Sequence, residues 1–485
     1  MAFFHKRIFL IPLDSRPVCY DMPRRLAAMA GLELHMPSPN LLGNLKKPAN
    51  FKTLSRWIKN HLFENDPVIV ALDTIAYGGL IASRVNIDPL EILKERLDHF
   101  FRQIRAQACF GFSAILRIPA YNGAEEEPDY WAQHGQALYR YSATKHETGT
   151  ALSDDIPSEV LADFLTRREK NHALNAYYLD DLNDKRLDYL TYCQDDTGPY
   201  GFNVQEAEQL AAAIKKRRLS SKAHVQTGAD EVASCMLARW MALRQEKPPV
   251  IYPVYTAEAG RHLVARFDGI LIETVVEKNI AACGGRMTTK AAEADLWLLV
   301  HAPAERQGDY CIGEQARLAP GQVDDALKLV ERSLTLGRPM TIADVAYANG
   351  GDTRFVEGVL TRFDNLSGLY GYAGWNTPGN TIGTAIAMGM IRWMAEKQGV
   401  FCMDAFCRLL LIRLADDWLY QADIRQTVRQ SLRQEPTNTP LDESLLNVLM
   451  ADGLGLLKNR LGLEKESIHC RYPCQRTFEI EIGIR

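Results

Sequence analysis

The sequence predicts an α/β protein: a (β/α)8-type barrel, then a second, smaller α/β domain and a mainly helical C-terminal region. Short apolar runs recur through the first part of the chain, with helical patterns between them. Most runs are continuously apolar, which is typical of parallel strands buried on both faces. The chain has 485 residues, too many for one ordinary domain. Eight strands close a barrel, while the strand count alone leaves an open doubly wound sheet as the alternative.

Residues 1–285 are predicted to form the barrel. Its eight strands are expected at Arg7–Leu13, Leu32–Met36, Val68–Leu72, Ser113–Ile118, Tyr189–Cys193, Ala223–Thr227, Val250–Tyr255 and Gly269–Glu273. Helical patterns such as Val204–Arg217 separate them. The stretch at about 123–186 is helical and polar, so we expect it to be an insertion after the fourth strand.

Residues 290–400 are predicted to form the second α/β domain. Its strands are expected at Leu296–Val300, Thr341–Val345 and Gly368–Tyr372, with helices at Gln322–Leu334 and Thr381–Glu396. Residues 401–485 are expected to be mainly helical and to end in the strand Thr477–Ile484. No internal repeat is visible in the sequence.

Composition narrows the class of protein. A formal net charge of −4 without a basic stripe argues against a nucleic-acid or anionic-membrane partner. No stretch approaches the roughly 20 apolar residues that span a bilayer. The apolar run Ile8–Ile11 is too short for a signal peptide, so we interpret it as a buried strand. The ten cysteines lack metal-binding spacing, which favours a reduced, cytoplasmic protein.

Two acidic doublets follow apolar runs, Asp195-Asp196 and Asp230-Glu231. Adjacent carboxylates repel one another, so a doublet at a strand end either caps the next helix or holds charge for chemistry. In the second case one carboxylate orients a reacting group. Its neighbour, whose pKa is raised by the like charge, acts as general acid or base. We therefore predict these four residues to be catalytic.

Polar side chains at other strand ends are candidates for binding a substrate. An arginine there suits carboxylate, phosphate or vicinal hydroxyls, and an indole beside amides suits a sugar, so we expect Trp375 to be exposed. The structural alternative for Asp14 and Arg16 is that they pair with their neighbours. Thr377 and Pro378 are predicted to cap and open the helix that follows. The candidates are Asp14, Arg16, Asp73, Arg117, Asn122, Tyr255, Glu273, Trp375, Asn376 and Asn380.

Four motifs together resemble the bacterial domain-of-unknown-function family 4127, over essentially the whole chain. They are Leu13-Asp14-Ser15-Arg16-Pro17, Gln194-Asp195-Asp196, Gly228-Ala229-Asp230-Glu231 and Gly374-Trp375-Asn376-Thr377. This resemblance implies a family and no activity.

A second resemblance is local. Gly228-Ala229-Asp230-Glu231-Val232 is similar to the Gly-Gly-Asp-Glu motif of the family 20 β-N-acetylhexosaminidases. It implies that Asp230 orients the substrate acetamide, which itself attacks the anomeric carbon, and that Glu231 is the general acid. Paired aspartates have these roles in the O-GlcNAcase-like family 84, so the resemblance extends to Asp195-Asp196.

The favoured hypothesis is a retaining or substrate-assisted glycoside hydrolase that acts on a small-molecule or oligosaccharide substrate without a cofactor. One alternative is a hydrolase or lyase that binds Mg²⁺ or Mn²⁺ through its acidic residues, namely Asp73, Asp195, Asp196, Asp230 or Glu273. The other is a non-catalytic sugar-binding protein. The sequence leaves the oligomeric state, the stereochemical outcome and the choice of catalytic doublet open.

Overall fold

The computed structural model describes residues 6–104, 108–432 and 440–485. The helices are α1 Pro17–Met29, α2 Phe51–His61, α3 Leu72–Ala76, α4 Leu80–Val85, α5 Leu90–Gln103, α6 Trp131–Thr148, α7 Ser158–Asn183, α8 Phe202–Lys216, α9 Val232–Ala242, α10 Ile272–Ala282, α11 Gln322–Thr335, α12 Thr353–Arg362, α13 Pro378–Lys397, α14 Met403–Leu414, α15 Arg425–Leu432 and α16 Glu443–Leu461. A π-helical segment, Ala415–Ile424, joins α14 to α15.

The strands are β1 Arg7–Ile11, β2 Glu33–His35, β3 Val68–Ala71, β4 Cys109–Ile115, β5 Tyr189–Gln194, β6 Ala223–Thr227, β7 Val250–Tyr255, β8 Arg286–Met287, β9 Leu296–His301, β10 Gly308–Asp309, β11 Met340–Asp344, β12 Tyr347–Ala348, β13 Gly371–Ala373, β14 Ile468–Arg471 and β15 Glu481–Ile484. The chain divides into two compact units. The first unit comprises the described residues of 1–15, 33–233 and 267–269, and the second those of 16–32, 234–266 and 270–485.

The first unit contains a six-stranded parallel sheet in the order β2-β1-β3-β4-β5-β6. Every residue of β3, β4 and β5 is buried, which explains why these strands are continuously apolar or carry small polar groups. The strand order reverses between β1 and β3. In doubly wound α/β sheets, ligands bind at the carboxyl ends of the strands, near such a reversal.

Helices of the first unit bury one apolar face. In α5 the buried residues are Leu93, Leu97, Phe100 and Phe101, a spacing that places them on one stripe of a 3.6-residue helix. Helices α6 and α7 occupy most of the stretch 123–186, so the expectation that this stretch is helical is confirmed.

The second unit contains a five-stranded parallel sheet in the order β13-β11-β9-β7-β8. When the five strands of this sheet are numbered by chain position and read from β8, the order is 2-1-3-4-5, which is also the order of the first five strands of the first sheet. The two units therefore share a strand order, although the sequence shows no internal repeat. Strands β14 and β15 form a separate antiparallel pair.

The α/β class and the parallel sheets agree with the prediction, but the pairing differs. The first six predicted strands lie in the first sheet, whereas β7, predicted as the seventh barrel strand, pairs with β8 and β9. Hydrogen bonds among the described strands close neither sheet. The barrel and the division at residues 285–290 and 400 stay predictions.

The predicted strand Gly269–Glu273 is wrong. Gly269 has φ +68°, and a Cβ at this position would collide with the Gly198 carbonyl. The chain therefore turns tightly here, and helix α10 begins at Ile272. Its buried residues Ile272, Val275, Val276 and Ile280 follow helical spacing, which a single short apolar run does not distinguish from a strand.

Among the described residues, no helix has both the length and the apolar character that crossing a membrane requires.

Candidate functional site

Acidic residues that follow strands β3, β5 and β6 lie near the Cys193 thiol in the first unit. Cys193 lies near the carboxyl end of β5, and burial is the main cause that raises the pKa of its thiol well above the usual value. The negative charges of Glu231, Asp73, Asp195 and Asp230 raise this pKa further. The structure thus brings members of both predicted doublets together at one edge of the first sheet.

The Glu231 carboxyl group is buried, and one of its two oxygens accepts a side-chain hydrogen bond. Glu231 is 1% exposed. Oε1 accepts a hydrogen bond of 2.8 Å from Nε2 of Gln226, while Oε2 has no hydrogen-bond partner among the described residues. Burial raises the pKa of Glu231 well above its usual value; its own backbone N–H lowers this pKa, and the charge of Asp230 raises it further. The raised pKa favours the protonated carboxyl group over the carboxylate.

Gly228 makes room for this carboxyl group. Its φ of +89° favours glycine, and a Cβ at this position would lie 2.6 Å from Glu231 Oε1. The Gly228 N–H donates to the Gln194 carbonyl at 2.9 Å, which fixes the turn against β5. The Glu231 side chain thus folds back over the end of β6. Asp230 is 6% exposed and lies in the same turn, directly before Glu231 and helix α9.

The first doublet is bound by two arginines. Asp195 Oδ2 lies 2.7 Å from Nη2 of Arg84, and Asp196 Oδ2 lies 2.7 Å from Nη1 of Arg117. Both guanidinium groups also contact Glu126 and Glu127, at 2.7 to 3.3 Å. Four carboxylates therefore share two guanidinium groups, and we call these six residues the arginine–carboxylate network. An arginine that binds two acids at once holds both in place.

Asp196 is the most exposed carboxylate of this network, with 26% of its side chain accessible. Its φ of +36° is uncommon for a residue with a side chain and is a form of backbone strain found at functional sites. Burial and the charge of Asp195 raise the pKa of Asp196 to about 6, against the lowering effect of Arg117.

Other predicted residues of the first unit have different surroundings. Asp73 is completely buried and accepts from the Ala114 N–H at 2.7 Å and from the Ser113 hydroxyl at 3.2 Å. Burial raises the pKa of Asp73 to about 7. Asn122 is exposed, and its Oδ1 accepts from the Gln136 N–H at 2.9 Å. Asp14 is buried after β1. The two hydrogen bonds that Asp73 accepts connect the segment after β3 to the carboxyl end of β4.

Three predicted residues of the second unit serve local structure. Arg16 is buried directly before α1, and its guanidinium lies 3.5 Å from the Cys19 sulfur. Glu273 lies in the first turn of α10 and accepts from Arg261 at 2.9 Å. The same guanidinium lies 5.4 Å from the centre of the Tyr255 ring.

The Trp375 loop is more buried than the sequence suggests. Trp375 is 4% exposed and packs edge-on against Phe478, with ring centres 5.6 Å apart, so the expectation of an exposed indole is wrong. Asn376 has φ +63°, and its carbonyl accepts from the Asn349 N–H at 2.8 Å. The Thr377 hydroxyl accepts from the Asn380 N–H at 3.3 Å, which confirms the predicted cap of α13.

Sequence reasoning missed a buried cluster at the strand ends of the second unit. His301 ends β9, and its Nε2 lies 3.2 Å from Asp352 Oδ2. Asp344 ends β11 and accepts from the Tyr372 hydroxyl at 3.3 Å, and burial raises the pKa of Asp344 to about 6. Asp344 shows the same strand-then-acid pattern as Asp73, so this pattern was available in the sequence.

Asp417 completes this cluster from the π-helical segment. It accepts from the Gly374 N–H and from Arg413 Nη1, both at 2.8 Å. Burial raises the pKa of Asp417 to about 7. Arg413 also pairs with Asp416 at 2.9 Å. π-Helical turns are often found at functional sites, but nothing in the sequence announces this one.

Within the part of the chain that the structure describes, no three His, Cys, Asp or Glu side chains are arranged to hold a metal ion.

The family model described as "Protein of unknown function (DUF4127)" matches residues 8–483, and the chain belongs to this family. No curated protein and no solved structure matches the chain.

Proposed function

We propose that this member of the DUF4127 family is a glycoside hydrolase in which Glu231 is the general acid. The observation that supports this proposal is the state of the Glu231 carboxyl group. It is buried, its pKa is raised, and one of its oxygens has no partner among the described residues. An ordinary glutamate is ionised at neutral pH and has no proton to give. A buried one acts as an acid, as paired carboxylates do in glycosidases.

In the proposed reaction, Glu231 transfers its proton to the glycosidic oxygen as the bond from that oxygen to the anomeric carbon breaks. The substrate acetamide oxygen attacks the anomeric carbon, and Asp230 orients the acetamide. Water then adds to the anomeric carbon, the bond to the acetamide oxygen breaks, and Glu231 takes the proton from that water. The acid is thereby regenerated, and one water is consumed for each bond broken.

The arginine–carboxylate network has another part in this proposal. Because Asp195 and Asp196 are already bound by arginines, we assign them to shaping the substrate site rather than to proton transfer. Asp196, the more exposed of the two, is assigned to binding sugar hydroxyls. A closed (β/α)8 barrel is not required, because strand-end carboxylates also meet at the edge of an open parallel sheet.

The proposal places the enzyme in the cytoplasm. No disulfide joins any of the ten cysteines, all of which lie in the described residues. Disulfides are rare where thiols are kept reduced.

The experiment is release of chromophore from a panel of aryl glycosides that includes 2-acetamido sugars and longer oligosaccharides. EDTA-treated and Mg²⁺-supplemented enzyme are assayed side by side. Metal-independent cleavage that is lost in Glu231→Gln supports the proposal. Cleavage that survives in Glu231→Gln contradicts it, and cleavage that requires Mg²⁺ replaces it with metal-dependent hydrolysis.

A further inference from the structure

Three hydrogen bonds connect the edge of the first sheet to Glu231. The Tyr189 hydroxyl lies 2.7 Å from Nδ1 of His224, and Nε2 of His224 lies 3.0 Å from Oε1 of Gln226. Nε2 of Gln226 donates to Glu231 Oε1 at 2.8 Å. His224 and Gln226 are two residues apart on β6, so their side chains point to the same face of the sheet.

The orientation of the Gln226 carboxamide sets the direction of this chain. A carboxamide donates only through its nitrogen and accepts only through its oxygen. Because the nitrogen faces Glu231, the oxygen faces His224 and needs an N–H from Nε2. The Nδ1 of a neutral His224 is then an acceptor for the Tyr189 hydroxyl. Every donor therefore points toward Glu231.

This direction decides which oxygen of Glu231 carries the proton. A protonated carboxyl group has one carbonyl oxygen, which is the stronger acceptor, and one hydroxyl, which donates. When Glu231 is protonated, the N–H of Gln226 at Oε1 favours Oε1 as the carbonyl oxygen and Oε2 as the oxygen that carries the proton. We propose that Gln226 and His224 are positioning residues that keep the proton of Glu231 on Oε2, the oxygen without a hydrogen-bond partner among the described residues.

The catalytic meaning of this inference rests on the proposed function, but the arrangement itself does not. Gln226 is fully buried, and a carboxamide does not ionise near neutral pH, so the chain positions Glu231 rather than conducting protons to it. The Gln226 N–H also stabilises the carboxylate that remains after proton transfer. The charges of Asp230 and Asp268 raise the pKa of Glu231, and the charge of Glu231 in turn raises the pKa of the nearby Cys193 thiol.

The test is the infrared band of the protonated carboxyl group at pH 7, identified as the difference between wild type and Glu231→Gln. Gln226→Met, which keeps the shape and removes the donor, is expected to shift this band to higher frequency, because the carbonyl oxygen loses its hydrogen bond. Gln322→Met replaces a buried glutamine of the second unit and should leave the band unchanged. Absence of the band in wild type, or an unshifted band in Gln226→Met, overturns the inference.

If Gln226→Met does not fold, His224→Phe removes the donor to Gln226 at a half-buried position and is expected to shift the band in the same direction. On a substrate that wild type cleaves, Gln226→Met should lower kcat about tenfold or more with little change in KM. A shifted band without hydrolysis of any substrate leaves the inference standing and removes the proposed function. Loss of hydrolysis in Glu231→Gln together with an unchanged band in Gln226→Met supports the proposed function and overturns the inference about Gln226.

Discussion

Gly228 is the residue on which the position of Glu231 depends. We expect Gly228→Ala to destabilise the protein and to displace the Glu231 carboxyl group, since the added Cβ meets Oε1 at 2.6 Å and the backbone has φ +89°. Strain at positive φ alone costs about 1–3 kcal/mol, and the steric clash adds to it. The measurement is the free energy of unfolding from urea titration.

Gly149→Ala is the matched control, because Gly149 has φ +81° and no atom within 4 Å of an added Cβ. The difference between the two variants isolates the clash with Glu231. In a Glu231→Ala background, Gly228→Ala should cost no more than Gly149→Ala. An equal cost for both glycines in the wild-type background would show that Glu231 does not occupy this position.

The arginine–carboxylate network depends on both of its cations. Arg117→Met leaves four carboxylates with one guanidinium group, so we expect a loss of about 3–5 kcal/mol in the free energy of unfolding. Arg471→Met is the control, since Arg471 pairs with Glu481 at the surface with 54% of its side chain exposed, and its loss should cost less than about 1 kcal/mol. Similar losses in the two variants would argue that the network is not electrostatically coupled.

At the scale of single residues, the acidic site residues could be predicted from the sequence, whereas the arginines that bind them could not all be predicted. Asp195, Asp196, Asp230 and Glu231 were predicted because an acid after an apolar run is visible in the sequence. Arg84 was not predicted, because it meets Asp195 across 111 positions and no local pattern records that approach.

Helix α12 begins at a residue with two tasks. The Asp352 side chain accepts from the Arg354 N–H as an N-cap and also contacts His301 in the interior. Asp442 has only the first task, as the exposed N-cap of α16. We expect Asp442→Ala to cost about 1 kcal/mol of unfolding free energy and Asp352→Ala to cost about 3 kcal/mol. If urea titration gives the same loss of unfolding free energy for both variants, Asp352 acts only as an N-cap.

The existence of some strands was predictable from short runs that are rich in β-forming residues. The predicted runs Ala223–Thr227 and Val250–Tyr255 have the bounds of β6 and β7, although β6 carries His224 and Gln226 and most of β7 is only half-buried. The run at Gly269–Glu273 failed because the same apolar residues also fit the buried stripe of α10. The π-helical segment Ala415–Ile424 was out of reach, since its form depends on hydrogen-bond partners distant in sequence.

The whole molecule carries buried acids whose pKa values lie above those of the unfolded chain. Burial is the main cause for each, and the values are about 7 for Asp73, Asp181 and Asp417 and about 6 for Asp196 and Asp344. These five groups therefore bind more protons in the folded chain than in the unfolded chain between about pH 4 and 7. The stabilisation by these groups is complete below the unfolded pKa and is lost as the pH rises through the folded pKa.

We expect the urea midpoint to be higher at about pH 5.5 than at pH 8, because each raised pKa unit costs about 1.4 kcal/mol once the group is ionised. Asp73→Asn should reduce this difference, since the amide does not ionise. Lys328→Met, at an exposed surface pair, should not change it. A midpoint that rises from pH 5.5 to pH 8 contradicts the assignment of these acids.

The assembly of strands into sheets was the least predictable feature of the whole molecule. Eight apolar runs are compatible with one closed barrel, and β7 differs from β6 in no property that marks a change of sheet. Pairing is set by contacts between distant segments, such as β7 with β9. The shared strand order of the two sheets likewise has no counterpart in the sequence.

The central claim is that Glu231 donates a proton to the leaving group. Its most direct test compares cleavage of an aryl glycoside with a good leaving group, such as dinitrophenolate, and one with a poor leaving group, such as phenolate. Glu231→Gln should lose about 10²–10⁴-fold on the poor leaving group and far less on the good one, because only the poor one needs the acid. Equal losses on both substrates would contradict the claim and assign Glu231 a structural role.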